Sequence, residues 1–219
     1  MIQKSTLEFL AALRKNNNKE WFETNRKKYE AAKEDVKQVT EKLIKALGEQ
    51  DEELGHLLAK DCTFRINRDI RFSKNKAPYK TNISCIFSKG GKKSENSGFY
   101  VHIEPDEAFV GAGYWAPEAK KLASVRQEID YNFGDWKKII SSKKFKSTFE
   151  NDLSKEDILQ RPPKGYDVEN PAIEFLKLKS FIVRTKITDA QLIDKNFVKT
   201  IVNIFAAVKP LLDFLDEAE

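Results

Sequence analysis

Residues 65–82 concentrate the side chains of this sequence that are best suited to bind an anion. They spell RINRDIRFSKNKAPYKTN and begin by alternating apolar with polar residues, as a β-strand does. On one face of such a strand, Asp69 would hold one arginine and leave another guanidinium to bind a phosphate or carboxylate. The stretch therefore predicts a basic pocket on the sheet for an anionic small molecule. The candidate ligand-binding residues are Arg65, Arg68, Asp69, Arg71, Lys76, Tyr79 and Lys80.

Two residues of this stretch have alternative interpretations. Arg68 would fall on the apolar face of a regular strand, so either a β-bulge redirects it or it is buried and paired. Asp69 either orients an arginine for a ligand or belongs to an Arg/Asp network that only holds the fold together. In the second case the protein is an interaction domain without a ligand pocket, and residues 73–78 form a simple turn.

The excess of positive charge is confined to one segment of the chain. The formal net charge is +5, but ten basic and two acidic residues between 60 and 93 give that segment +8, and 29 basic and 32 acidic residues elsewhere give −3. Such a concentration attracts anions. Nucleic acid is the alternative partner, because loop lysines could follow a phosphate backbone while aromatic rings stack on bases, although no nucleic-acid-binding motif accompanies them. These residues are Lys89, Lys92, Lys93, Tyr79, Tyr100, Tyr114 and Trp115.

His102 and Asp69 are the weak candidates for catalysis. His102 lies between Tyr100 and Glu104 on the non-core face of a predicted strand, where a neighbouring carboxylate would suit a general base near neutral pH. A single histidine on a strand is more often an ordinary surface group, so the sequence leaves open whether the protein is an enzyme. No zinc or calcium spacing, phosphate loop, nucleophile elbow or dinucleotide motif is present. We therefore expect neither a metal nor a cofactor.

The composition favours a folded chain without a membrane span. Of 219 residues, 40% are hydrophobic and 15 are Phe, enough for a sizeable core and too many for a disordered chain. No apolar run approaches the roughly 18 residues that a membrane-spanning helix needs. The first residues, MIQKSTLEFLAALRK, do not resemble a signal peptide, and Cys62 and Cys85 are expected to be reduced core residues. Both features predict a cytoplasmic location.

Apolar periodicity predicts the elements that carry these side chains. Steps of three and four predict helices over 5–14, 19–47, 52–60, 117–131, 134–142, 143–152 and 170–179, and a last helix that begins at Ala190 or Asp194 and ends at Leu215. Alternation predicts strands over 64–72, 83–87, 99–103, 108–115 and 181–187. Ser5 and Glu8 would form a capping box on the first helix, and short connections between strands imply an antiparallel meander. The predicted fold class is α+β, with a mainly antiparallel sheet flanked by N- and C-terminal helices.

Several motifs, in order along the chain, resemble those of one family. They are FLAALRKNNNKEWF, RINRDIRFSKNKAPYKTN, GFYVHIEP, GAGYWAPE, RPPKGYD and NPAIEFLKLKSF. The sequence is similar to a widespread bacterial and fungal family, domain of unknown function 2461. The resemblance implies a single domain over residues 1–219 and brings no established activity. Where the family pattern has a histidine before Pro171, this chain has Asn170, so the resemblance implies no histidine base or ligand there.

Overall fold

The computed structural model describes residues 1–149 and 153–218. It confirms the α+β class, because the described residues form eleven α-helices and one four-stranded antiparallel sheet. The strands are β1 Ile83–Phe87, β2 Gly98–Ile103, β3 Phe109–Tyr114 and β4 Phe181–Lys186, in the order β1-β2-β3-β4. The helices are α1 Lys4–Lys15, α2 Lys19–Thr24, α3 Arg26–Gly48, α4 Glu52–Gly55, α5 Ala59–Cys62, α6 Ala119–Tyr131, α7 Phe133–Ser141, α8 Lys143–Thr148, α9 Ile173–Leu176, α10 Asp189–Leu192 and α11 Phe197–Glu217.

The chain divides into two compact units. The first unit contains Met1–Ser94, Tyr100–Val110 and Lys186–Asn203. The second unit contains Glu95–Phe99, Gly111–Thr185 and Ile204–Glu219. Every predicted ligand-binding residue, and also His102, belongs to the first unit, so each unit is described by itself. The prediction of a single domain over residues 1–219 stays a prediction.

The N-cap of helix α1 lies two residues earlier in the chain than the sequence predicts. Its N-cap is Gln3, so the predicted Ser5 capping box is wrong. Asp35 of α3 instead accepts a hydrogen bond from one unpaired N-terminal backbone group, the Gln3 N–H, at 2.8 Å, and a second from the Thr6 hydroxyl at 2.6 Å. A carboxylate at this position also suits the positive end of the helix dipole. Asp35, which is distant in sequence, thus takes the place of a local N-cap side chain.

The predicted helix over residues 19–47 is two helices, α2 and α3, separated at Asn25. The Asn25 backbone leaves helical geometry at φ −102° and ψ 15°, and its side-chain amide donates to the Trp21 carbonyl at 3.0 Å. Asparagine competes for backbone hydrogen bonds in this way and weakens a helix interior. Asn18 is the N-cap of α2, since its side chain accepts from the Trp21 backbone N–H. Beyond the break, α3 buries its predicted apolar face in the core of the first unit.

The predicted strand over residues 64–72 is wrong. One isolated antiparallel bridge, Asn67 with Tyr79, lies within it, and a second, Thr63 with Cys85, lies just before it. The segment between 66 and 80, which we call the motif loop, is an irregular loop with antiparallel ends. Apolar alternation misled the prediction, because Ile66 is buried whereas Phe72 is 95% exposed. Polar side chains that bond to the loop's own backbone take the place of a sheet ladder.

Strand β2 follows its predicted alternation. Val101 and Ile103 are buried at 1% and 0% exposure, and Tyr100 and His102 on the opposite face are half-buried. Glu104, just after the strand, continues that polar face and is itself 8% exposed. Because successive side chains of a strand point to opposite faces, this register brings three chemically active groups into one row.

The second unit has an aromatic core around Trp136 of α7. The Trp136 ring is fully buried and lies 5.3 to 6.1 Å from the rings of Phe175, Phe181 and Phe214. Gly113 has φ +125°, and a Cβ there would overlap the carbonyl of Phe181, so only glycine fits. The predicted helix over 143–152 forms as α8, and residues 150–152 lie outside the described residues. The predicted helix over 170–179 shortens to the single turn of α9.

Between residues 1 and 218, leaving aside 150–152, no helix has both the length and the apolar character to cross a bilayer.

Candidate functional site

Arg68 binds the backbone of its own loop. Its guanidinium donates to the Ala77 carbonyl at 2.9 Å, the Asn75 carbonyl at 3.3 Å and the Ser73 hydroxyl at 3.3 Å. The Arg68 backbone N–H donates to the Pro78 carbonyl at 2.9 Å. These contacts tie the two sides of the motif loop together, since a planar guanidinium can satisfy several loop carbonyls at once. Neither a bulge nor an apolar strand face is needed to explain its position.

Asp69 and Arg71 form an ion pair at the surface. The Arg71 Nη2 to Asp69 Oδ2 distance is 2.6 Å, and the two side chains are 76% and 45% exposed. Hydrogen bonds from the Arg71 side chain and backbone lower the pKa of Asp69, with a smaller contribution from the charge of Arg65. Exposed pairs of this kind contribute little to stability. Nearby, Lys76 donates to the Ile70 carbonyl at 3.0 Å.

Tyr79 anchors the end of the motif loop to α2. Its ring is 6% exposed and stacks on Phe22, with ring centroids 3.9 Å apart and an interplanar angle of 14°. Its backbone N–H and carbonyl both bond to the Asn17 side chain, at 3.1 and 2.9 Å. Burial raises the pKa of the Tyr79 hydroxyl. The residue therefore contributes packing to the first unit.

A groove of about 370 Å³ lies beside the motif loop, between α3, residues 60–66, Ile83 and Lys92. We call it the basic groove. Its charged lining residues are Lys33, Lys37, Lys60, Arg65, Lys92, Glu30 and Glu34. Five cationic side chains against two carboxylates leave the lining with an excess of positive charge, which is the electrostatic condition for attracting an anion.

Three of these lysines already have partners in the protein. Lys33 lies 3.7 Å from Glu30, and Lys37 lies 3.5 Å from Glu34, both as exposed pairs along α3. Lys92 donates to the carbonyls of Lys60 and Thr63, at 2.5 and 2.9 Å. These two carbonyls belong to the C-terminal end of α5, where a cation is favoured.

Arg65 is the groove cation with the greatest freedom to bind a ligand. Its exposed guanidinium has no hydrogen-bond or ion-pair partner among residues 1–149 and 153–218. The Nζ of Lys80 lies 5.4 Å from the centroid of the Phe64 ring, a groove-lining residue. Burial lowers the pKa of Lys80, and the charge of Arg65 lowers it further. Arg65 thus acts electrostatically on both Asp69 and Lys80, two charged residues of the predicted motif.

A row of hydrogen bonds crosses the polar face of β2. The Tyr100 hydroxyl lies 3.1 Å from Nδ1 of His102, whose Nε2 lies 2.8 Å from Oε2 of Glu104. The Thr81 hydroxyl donates to the other Glu104 oxygen at 2.5 Å. The His102 and Glu104 side chains are only 13% and 10% exposed, and the imidazole stacks on Phe109 at 4.6 Å. We call Tyr100, His102, Glu104 and Thr81 the relay.

Sequence reasoning found part of the relay. The spacing of Tyr100, His102 and Glu104 at every second position of a strand places them on one face. Thr81 was missed, because it precedes another strand and nothing local links it to Glu104.

Arg126 in the second unit was not identified as a binding residue. It donates to the Leu178 carbonyl at 3.0 Å, and its buried Nε has no partner among the described residues. Burial lowers the pKa of its guanidinium. Asn170 has a structural role in the same unit, since its side chain donates to Asp130 at 2.6 Å and accepts from the Ala172 backbone N–H at 2.8 Å.

Cys62 and Cys85 are buried free thiols, as predicted. Burial raises the pKa of Cys62 to about 11 and that of Cys85 to about 12, so both are poor thiolate nucleophiles. Within the described residues, no three histidine, cysteine, aspartate or glutamate side chains are grouped so that they could hold a metal ion.

Comparison with known proteins agrees with the resemblance seen in the motifs. No curated protein and no solved structure matches the chain. A family model described as "Conserved hypothetical protein (DUF2461)" matches residues 5–214, which include the motif loop, the basic groove and the relay. The chain therefore belongs to the DUF2461 family.

Proposed function

We propose that this protein binds an anionic small molecule, bearing a phosphate or carboxylate group, in the basic groove. The observation that carries the proposal is Arg65, an exposed guanidinium that lines a groove and has no hydrogen-bond or ion-pair partner in the described part of the chain. A guanidinium binds both oxygens of such a group at once, so it provides orientation as well as charge.

The size and charge of the groove support this proposal. A volume of about 370 Å³ is within the range of small-molecule sites, roughly 300–1,000 Å³. Lys60 adds a second cation whose side-chain ammonium has no partner among the described residues. A bound anion would complement these two charges without breaking an existing ion pair.

Lys80 supports the proposal from the edge of the groove. The pKa of its ammonium is lowered by burial and by repulsion from Arg65, which disfavours the charged form. An anion placed near both cations would relieve this repulsion. Ligand binding and protonation of Lys80 are therefore expected to favour each other.

The predicted ligand set is reduced to Arg65 and Lys80 in this proposal. The contacts of Arg68 with loop carbonyls, and of Tyr79 with Phe22, favour structural roles for these two residues. Lys76 and the Asp69–Arg71 pair likewise have partners within the motif loop. With the predicted cytoplasmic location, phosphorylated metabolites and organic acids are the ligand classes to test first.

Nucleic acid has weaker support as a partner. Lys89 pairs with Glu53 at 2.8 Å, and Lys92 is bound to carbonyls of the chain. Tyr79, a proposed stacking ring, is buried against Phe22. Several of the groups that would follow a phosphate backbone or stack on bases are therefore already occupied.

A thermal-shift panel tests the proposal. Inorganic phosphate, sugar phosphates, nucleotides, dicarboxylates and short oligonucleotides are added to the wild type, Arg65→Ala and Arg71→Ala. A ligand at a hundred times its dissociation constant stabilises the native state by about 2.7 kcal/mol. That corresponds to a rise of roughly 5–11 °C in the midpoint for a chain of this length.

The two arginine variants are matched controls, because each removes one exposed guanidinium from the same segment. We expect the shift to disappear in Arg65→Ala and to persist in Arg71→Ala. Loss of the shift in Arg71→Ala alone would move the site to the motif loop. No shift with any small anion, or a shift with oligonucleotides alone, would contradict the proposal.

A further inference from the structure

The relay has the polarity of a catalytic triad. The carboxylate of Glu104 can only accept hydrogen bonds, so His102 donates its Nε2–H to it, and Thr81 donates its hydroxyl to the second oxygen. In the neutral imidazole, His102 Nδ1 then carries a lone pair that accepts a hydrogen bond from the Tyr100 hydroxyl, 3.1 Å away. Every member is thus oriented to draw a proton away from Tyr100, as a Ser–His–Asp triad draws one from serine.

Tyr100 ends the row of hydrogen bonds that begins at Thr81. Glu104 is buried, whereas Tyr100 and His102 are both half-buried, and the Tyr100 hydroxyl is the terminal proton donor of the row. The Tyr100 ring lies 6.4 Å from the ring of Phe64, which lines the basic groove. The Lys80 ammonium lies 5.4 Å from that same Phe64 ring. The Lys80 ammonium and the Tyr100 ring are therefore both close to the Phe64 ring.

We propose that Tyr100 is a nucleophile in the hydrolysis of phosphate esters, with His102 as its general base. Glu104 and Thr81 are positioning residues that orient His102. Lys80 and Arg65 supply the positive charge that an anionic ester requires, so the substrate class, but not the relay itself, rests on the proposed function.

The reaction balances with these groups and water. Tyr100 Oη forms a bond to phosphorus, its proton moves to His102 Nδ1, and the ester P–O bond breaks. The leaving oxygen departs with the electron pair of that bond and takes the proton from His102. Water then attacks the phosphotyrosyl group and gives a proton to His102, and Tyr100 Oη leaves and takes this proton back. The net change is hydrolysis of one ester bond.

Reaction with a neutral aryl sulfonyl fluoride tests the nucleophile directly. Mass spectrometry of the labelled protein gives the rates at Tyr100 and at Tyr131, a 75% exposed tyrosine that serves as an internal control. We expect Tyr100 to react about a hundredfold faster, the lower end of the effect of a positioned base. A rate at Tyr100 no higher than that at Tyr131 would overturn the proposal, and this comparison needs no variant.

Variants then test the relay. His102→Gln and Glu104→Gln are expected to reduce labelling of Tyr100 by about a hundredfold. Thr81→Val should reduce the labelling of Tyr100, and Thr81→Ser, which keeps the hydroxyl, should restore it. Thermal unfolding shows whether each variant is folded. Unchanged labelling in folded His102→Gln would overturn the role of His102.

The substrate class is tested with bis(p-nitrophenyl) phosphate and p-nitrophenyl acetate. We expect the wild type to hydrolyse the phosphate diester and Tyr100→Phe not to. Hydrolysis of the acetate alone, or undiminished phosphodiester hydrolysis in Tyr100→Phe, would overturn the assignment.

Arg65→Ala separates the two proposals, since the neutral sulfonyl fluoride does not require the basic groove. Labelling of Tyr100 should persist in this variant while phosphodiester hydrolysis falls. Failure of the anion panel with intact Tyr100 labelling would therefore remove the proposed function and leave the nucleophile in place.

Discussion

The motif loop and the basic groove draw cations from the same short segment of sequence and use them differently. In the motif loop, Arg68 and Lys76 donate to carbonyls of the loop, and Arg71 pairs with Asp69. In the groove, Arg65 and Lys60 have no such partners among the residues described. Carbonyls in irregular backbone need donors from side chains, whereas helix carbonyls are satisfied internally. The motif loop therefore uses its own cations, whereas Arg65 and Lys60 remain for a ligand.

Among substitutions in the motif loop, replacing Tyr79 is expected to lower the free energy of unfolding the most. Because its ring is buried against Phe22, Tyr79→Ala should lower the free energy of unfolding by about 3–5 kcal/mol, as for other buried aromatic residues. Tyr79→Phe keeps the ring and should lose less than about 1.5 kcal/mol. Denaturant unfolding measures both. Equal losses in the two variants would show that the hydroxyl, and not the packing, is what matters.

Replacing Arg68 is expected to lower the free energy of unfolding by an intermediate amount. Arg68→Ala removes the donors to two carbonyls and one hydroxyl and should cost about 1.5–3 kcal/mol, the value for hydrogen bonds to a charged group. Arg68→Lys keeps the charge but loses the planar fork, so it should recover only part of the loss. Arg71→Ala, at the exposed pair, should leave the unfolding midpoint unchanged. A midpoint as low in Arg71→Ala as in Arg68→Ala would erase the distinction between the two arginines.

The smallest expected effect is the contribution of Lys80 to the pH dependence of the free energy of unfolding. Its pKa is lowered in the folded state, so charged Lys80 costs stability at neutral pH, and the cost fades as pH rises towards the ordinary lysine value. Lys80→Met has no such cost at any pH. The stability advantage of Lys80→Met over the wild type should therefore be largest at neutral pH and shrink towards pH 10.5, the unshifted value. Unfolding curves at several pH values measure it, and a growing advantage at high pH would contradict the sign.

Repeating the comparison of Lys80→Met with the wild type in the presence of phosphate tests whether Lys80 belongs to the ligand site. Saturating phosphate should remove the advantage of Lys80→Met at neutral pH, because the anion stabilises the charged form of Lys80 in the wild type. An advantage that is unaffected by phosphate would place Lys80 outside the ligand site and leave Arg65 and Lys60 as its cations.

Much of the fold could be predicted from local patterns. The apolar spacing of α3, the alternation of β2 and the Asn18 cap are all set by residues near one another in sequence. The strand over 64–72 failed because the same alternation is compatible with a loop. What decided between them was the set of hydrogen bonds from Arg68 to residues 73–77, and apolar periodicity carries no information about such bonds.

The sequence by itself determined the fold class, the segment that carries the positive charge and the row of Tyr100, His102 and Glu104, because each depends on composition or short-range periodicity. Tertiary structure alone decided which cations line the groove, since Lys33 and Lys37 reach it from α3, about thirty residues before Arg65. It also brought Thr81 to Glu104. Contacts between distant residues follow from how elements pack, and packing is a property of the whole chain.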